Sequence, residues 1–235
     1  MNDGTIGVAL NAKYERKGKI CVPSTLMIND ISYDVTEILG SSLVDNLGVS
    51  QTSGFAGTLN LTHVFFQGTQ DNTCKIRTLG DYAFQSSSNI VHLDIPASLT
   101  KLGSYCLGYT SSLKLTNLKN IVYFGYECLR GTGISSTVTN ADTLYVSGNV
   151  NYLDTGSFRG IKYWHLQIGT TAQPLQALPV VPSNVSNMFD FWFDEKEHNT
   201  LMITIFTTMD EEMVEDFFKQ CVSESASVEF DIQSV

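Results

Sequence analysis

"LGDYAF" at residues 79–84 decides the reading of this chain, because it returns. "LGSYCL" (102–107), "FGYECL" (124–129) and "LDTGSF" (153–158) share its layout, and "ILGSSL" (38–43) is a degenerate relative. An apolar residue leads, three variable positions follow, and a small residue precedes Phe or Leu. Gly holds the second position in three copies, and Leu39 and Asp154 replace it in the other two.

A second column keeps the same period. "NIVHLDIP" (89–96) aligns with "NLTHVFFQ" (60–67), "NADTLYVS" (140–147) and "KYWHLQIG" (162–169). Val64, Leu93, Leu144 and Leu166, then Phe66, Ile95, Val146 and Ile168, alternate with polar or aromatic neighbours, as in a strand with one buried face. "SLKLTNLKNI" (112–121) is one residue short, so its strand has no definite position. The large residues Phe55, Phe84, Leu107, Leu129 and Phe158 are spaced by 29, 23, 22 and 29, with turn-rich insertions near 67–74 and 131–138.

A period near 23 with one strand per unit predicts a solenoid in which stacked units share one core. Adjacent coils then lie about 4.8 Å apart, which is why the small-residue column must stay small. Glycine supplies either a positive φ or close backbone approach.

"LGDYAFQSSSNIVHLDIPASLTK" (79–101) resembles the repeats of BspA-like leucine-rich-repeat proteins, with Ser at that family's Cys-like position. "GKICVPSTLMINDISYDVTEILGSSL" (18–43) is similar to that family's leader: a strand, an Ile-Pro-Ser-like stretch, a short hairpin, then the first coil. The resemblance covers about residues 18–170. It implies a right-handed leucine-rich-repeat solenoid, mostly strand and turn with a short parallel β-ladder. It also implies a surface-exposed or secreted protein that binds other macromolecules, often in adhesion.

Charge divides the chain. Residues 1–182 hold 12 acids and 12 bases; residues 183–235 hold 12 acids and 2 bases, and so carry the whole net charge of −10. The change falls at "QPLQALPVVPSN" (173–184), a composition break of the kind that marks a boundary. The expected organisation is a strand and hairpin cap over 1–37, about five coils over 38–182, and an acidic C-terminal α+β module over 183–235 that caps the stack. In that module, "MFDFWF" (188–193) and "LMITIFTT" (201–208) read as a β-hairpin across "DEKEHN". A helix follows over 208–222, with Thr208 and Glu211 at capping-box spacing and Met209, Met213, Phe217, Gln220 and Cys221 on one mostly apolar face. "SVEFDIQSV" (227–235) alternates as a last strand, giving β-β-α-β.

No basic stripe suits nucleic acid. No apolar run reaches a membrane span, and "MNDGTIGVAL" lacks the pattern of a signal peptide. Five cysteines without a CxxC argue against a disulfide framework or zinc site, and no cofactor is expected. Cys106 and Cys128 stand in the small-residue column and read as buried small hydrophobes. His63, His92 and His165 share a column. His63 and His92 fall on adjacent coils, where with Asp94 they could make a minimal metal site, while His165 lies three coils further on, roughly 15 Å away at the strand spacing, beyond a shared metal.

The leading function is a non-catalytic module that binds a protein or glycan through outward strand positions: His63, Phe65, His92, Asp94, Tyr145, His165 and Gln167, with Phe65 and Tyr145 as anchors. One alternative is a hydrolase of polysaccharide or peptide using Asp71, Asp142 and Asp154 near the insertions. Another is a rigid spacer that displays the acidic module.

Overall fold

The computed structural model describes residues 4–8, 18–40, 43–44, 50–51, 55–115, 117–133, 143–161, 163–183, 185, 187–189, 200–223 and 227–235. It is a stack of coils with two strand ladders.

The short ladder starts with β1 (Thr5–Val8) beside β4 (Ile31–Ile38) and continues through two-residue rungs: β8 (Thr78–Leu79), β10 (Lys101–Leu102), β12 (Tyr123–Phe124) and β14 (Tyr152–Leu153), all parallel. β3 (Thr25–Ile28) pairs antiparallel with β4 across Asn29-Asp30. Both loop residues have positive φ, 51° and 60°, as a type I′ hairpin requires. This is the hairpin expected in the leader. A separate small pair joins β5 (Leu43–Val44) to β6 (Ser50–Gln51).

The long ladder has two runs. One is β2 (Gly18–Val22), β7 (Leu61–Phe66) and β9 (His92–Leu93); the other is β11 (Asn117–Leu118), β13 (Thr143–Val146), β15 (His165–Ile168), β16 (Leu201–Thr207) and β17 (Val228–Ser234). Every pairing in both is parallel. The short repeat is thereby placed: Asn117 lies beside Tyr145 and Leu118 beside Val146.

Between ladders the recurring motif makes a third set of coil-to-coil hydrogen bonds. Tyr82, Phe84 and Ser86 N–H groups donate to the carbonyls of Ser104, Cys106 and Gly108 at 2.8, 2.7 and 2.8 Å, and the next coil repeats the pattern from Tyr105, Leu107 and Tyr109. The large column, Phe55, Phe84, Leu107, Leu129 and Phe158, is fully buried, as is the small column of Ala83, Cys106, Cys128 and Ser157. Both cysteines are free thiols whose pKa is pushed up by burial.

Of the two roles offered for glycine, the structure uses close approach. A Cβ on Gly125 would lie 2.8 Å from the carbonyl carbon of Gly103 and the nitrogen of Ser104; one on Gly80 would lie 2.8 Å from the Ile38 carbonyl oxygen. The left-handed residue comes two positions later, in Tyr82, Tyr105, Glu127 and Gly156, with φ of 61°, 51°, 46° and 64°.

The Pro-rich stretch continues both the coil and the core. The Leu153 N–H donates to the Val180 carbonyl at 3.0 Å, and Tyr152 and Val180 form a parallel bridge, the next rung of the short ladder. The Phe158 N–H donates to the Met188 carbonyl at 3.1 Å, and Phe189 stacks on Phe158 at 5.6 Å. Val185, Met188 and Phe189 therefore make a further turn of the motif, in which Met stands where earlier copies have a small residue.

Two local expectations are corrected. β16 runs parallel between β15 and β17, both of which occupy its edges, so a hairpin partner at 188–193 has no edge to join; residues 190–193 lie outside the described residues. The helix α1 spans Glu211–Lys219 and is capped by Asp210, whose side chain accepts from the Met213 N–H at 2.9 Å, so Thr208 is not its cap. Its buried face is Val214 and Phe218, with Cys221 just beyond, while Met213 is 44% exposed. The face is turned because α1 packs on the last coil, where Phe218 lies 6.3 Å from Phe189.

Candidate interaction surface

In a strand, alternate residues face outward, so each ladder offers columns of side chains that are at least partly exposed. On the long ladder, His63 pairs with His92 in register, and Thr143 pairs with His165. The seven outward residues fall into two groups.

The first group joins β7 to β9. The rings of His63 and Phe65 lie 6.0 Å apart, Phe65 and His92 5.1 Å, and His63 and His92 5.9 Å. The two histidines thus sit on adjacent coils. Asp94 fixes His92, with Nε2 3.0 Å from Oδ1, and its other oxygen accepts the Phe66 N–H at 3.1 Å. Loss of hydration lowers the His63 pKa, and the neighbouring Lys19 and His92 add to this. The cluster is an aromatic patch with one carboxylate, and His92 is its most exposed ring at 46%. Among the described residues, no group of three or more His, Cys, Asp or Glu side chains could hold a metal ion.

The second group lies on β13 and β15. Lys119 Nζ stands 4.8 Å over the Tyr145 ring. Gln167 pairs in register with Tyr145 and donates from Nε2 to the Gly169 carbonyl at 2.9 Å. His165 is only partly exposed, and both its nitrogens are engaged: Nδ1 with Thr143 Oγ1 at 3.0 Å and Nε2 with Thr204 Oγ1 at 2.9 Å. Thr204 also reaches Asp231. This chain crosses four strands and ties the repeats to the C-terminal strands. Burial lowers the His165 pKa, and Asp231 partly offsets it.

Column reasoning missed two features outside the long ladder. Tyr123 and Tyr152 stack at 4.6 Å on the short ladder, with Lys101 Nζ 4.8 Å over Tyr123; their shared place before "FGYECL" and "LDTGSF" is the signal in the sequence. Glu127, 2% exposed, occupies the left-handed column and holds Arg130 at 2.5 Å and Arg159 at 3.2 Å. Burial alone would raise its pKa, but hydrogen bonds from Arg130, Tyr105 and Arg159 outweigh that and lower it.

Of the acids considered for hydrolysis, Asp71 accepts from the N–H and Oγ1 of Thr73 within its own turn, and Asp154 accepts from the Tyr152 hydroxyl and the Thr155 N–H. Both are committed to local turns. Asp142 lies outside the described residues.

A parallel coil stack with a repeating outward face defines a repeat-solenoid protein. The chain belongs to the BspA type leucine rich repeat region family, which matches in six copies over residues 27–160. No curated protein matches it. Among solved structures it is similar to a leucine-rich repeat protein from Bacteroides ovatus, at 12% identity and a TM-score of 0.34, over 96% of this chain and 77% of that one. Repeats of this family are generally non-catalytic and mediate protein interactions. Among the described residues no helix is long and apolar enough to cross a membrane.

Proposed function

We propose that the coil stack is a non-catalytic protein-binding module of a cell-surface or secreted protein, acting in adhesion. The observation that carries this reading is the cluster of His63, Phe65 and His92, three rings from adjacent coils within 6.0 Å of one another on an outward face. Aromatic side chains held rigidly by a ladder give large contact area at small entropic cost, and such residues dominate protein interfaces. Tyr145 with Lys119 extends the same face. His165 acts mainly as a tie between strands, since both ring nitrogens are already used.

The acidic end expected over 183–235 serves as the cap, entered through the last coil turn at Val185, Met188 and Phe189. This is supported by the way Val214 and Phe218 close the core over Phe189 and by the pairing of β16 with β15 and of β17 with β16. A solenoid end otherwise exposes its apolar interior.

The test is an array of extracellular proteins and glycans probed with the labelled wild-type chain and Phe65→Ala. The reading expects at least one protein spot whose signal falls tenfold or more in the variant. Signal confined to glycans, or unaffected by the substitution, refutes it. Location is checked separately, by protease treatment of intact cells that make the chain: loss of the protein is expected, and full protection refutes surface display.

A further inference from the structure

A second surface lies at the acidic end. An open groove runs between α1 and the stretch that holds Leu178, Val181, Pro182, Ser183 and Val185. One hollow of about 530 Å³ is lined by Val181, Val185 and Phe217 among others, and a second of about 480 Å³ by Leu178, Met213 and Phe217. Phe217 and Gln220 border both, so the two form one groove centred on the Phe217 ring. The second hollow is lined more by apolar than by polar surface and opens to solvent, whereas the first is mainly polar, so the second is the place for a partner's apolar side chains.

The wall is of one charge. Asp210, Glu212 and Asp216 line the second hollow, and among the described residues no Lys or Arg lines either hollow. Glu212 and Asp216 are four residues apart on the helix and so lie on one face. The one base of α1, Lys219, is held 2.7 Å from Glu215, outside the groove. In the sequence, residues 183–235 carry 12 acids against 2 bases. Anionic partners such as nucleic acids and acidic bilayers are repelled from this end. An apolar floor under a carboxylate wall is complementary to a peptide with the opposite pattern.

We propose that this groove docks a segment of a partner protein that presents apolar side chains between Lys or Arg residues. The apolar side chains enter beside Phe217 and Leu178, and the cations lie over Glu212 and Asp216. The site is separate from the aromatic patch on the long ladder and does not depend on it.

The probe is a synthetic peptide of alternating Lys and Leu, titrated into the ¹⁵N-labelled full chain, with a Glu-for-Lys peptide as control. Saturable shifts confined to residues 178–185 and 209–221 are expected, and affinity should fall about tenfold between low and physiological salt as the charges are screened. Glu212→Gln with Asp216→Asn should weaken binding tenfold or more, as should Met213→Ser; all three side chains are exposed, so the fold is not at risk. Phe65→Ala should bind as wild type. Equal binding of the Glu peptide, shifts scattered over surface acids, no saturable shift, or self-association of the chain through these residues without peptide would each overturn the proposal.

Discussion

Replacing Gly125 with alanine puts a methyl group where two coils touch. The new Cβ would lie 2.8 Å from Gly103 C and from Ser104 N, and 3.0 Å from Leu102 O. Carbon contacts normally settle at about 3.5–4.0 Å, so the coils must part by about 0.7 Å. All three neighbours are backbone atoms, so no side chain can swing away. The Gly125 N–H bond to Leu102 O, now 2.9 Å, then stretches beyond the useful range, and the Tyr105-to-Tyr126 bond of 2.8 Å is strained with it. Overpacking of this kind costs about 1–3 kcal/mol. Because residue 125 does not have a positive φ, alanine also stiffens the unfolded chain, which returns about 0.4–1 kcal/mol. The net expectation is a loss centred on about 1.3 kcal/mol and at most about 2.6 kcal/mol, or a fall in Tm of roughly 3–5 °C for a chain of this size. Urea titration followed by circular dichroism measures it. Gly108→Ala is the control, since its Cβ would approach nothing nearer than 3.3 Å, and it should cost much less. If Gly125→Ala is neutral or stabilising, coil spacing is not what fixes this residue.

Phe189→Ala should cost about 3–5 kcal/mol, because the ring is fully buried between Phe158 and Phe218; a urea midpoint that barely moves would show that residue 189 is not part of the shared core. Glu127→Ala should cost about 1–3 kcal/mol, below the usual figure for a broken buried pair because the two arginines remain about a quarter exposed; Glu127→Gln should recover part of this. Since the folded pKa of Glu127 is lowered, its contribution is present above the unfolded carboxylate pKa and is lost as pH falls through the folded one. Parallel acid titrations of wild type and Glu127→Gln test that sign, and a pH-independent difference contradicts it. His165 also has a lowered folded pKa, so the unfolded chain takes up its proton first. Wild-type stability relative to His165→Gln should be greatest above about pH 6.5 and decline below it; a difference that grows on acidification refutes the placement of His165.

The coil repeat was legible because packing imposes it. A column that must stay small and one that must fill the core leave a period in the sequence, and Ala83-Phe84, Cys106-Leu107 and Ser157-Phe158 carry it. The further turn at Val185–Phe189 was hidden for a physical reason. Near the end of the stack Met188 replaces a small residue, and the prolines and charge shift around it mimic a linker. Gly80 was legible as special, but composition does not distinguish close approach from left-handed backbone, and tyrosines and a glutamate took the left-handed position. β16 looked like half of a hairpin because alternation identifies a strand without naming its neighbours. Thr208 and Asp210 are both good caps by type, and only the packing of α1 selects the second. At the candidate surface, register placed His63 beside His92, whereas the locking of His165 by Thr143 and Thr204 depends on side-chain distances that no column pattern encodes.

The proposed partner site is the outward face of the long ladder, around Phe65. The direct measurement is the affinity of a protein partner found on the array for wild type, Phe65→Ala and Tyr123→Ala, the last changing the aromatic stack of the short ladder. An anchor residue is worth about 2 kcal/mol, close to thirtyfold in Kd. That loss is expected for Phe65→Ala, with wild-type affinity for Tyr123→Ala; wild-type affinity for Phe65→Ala with a large loss for Tyr123→Ala would place the binding surface on the short ladder instead.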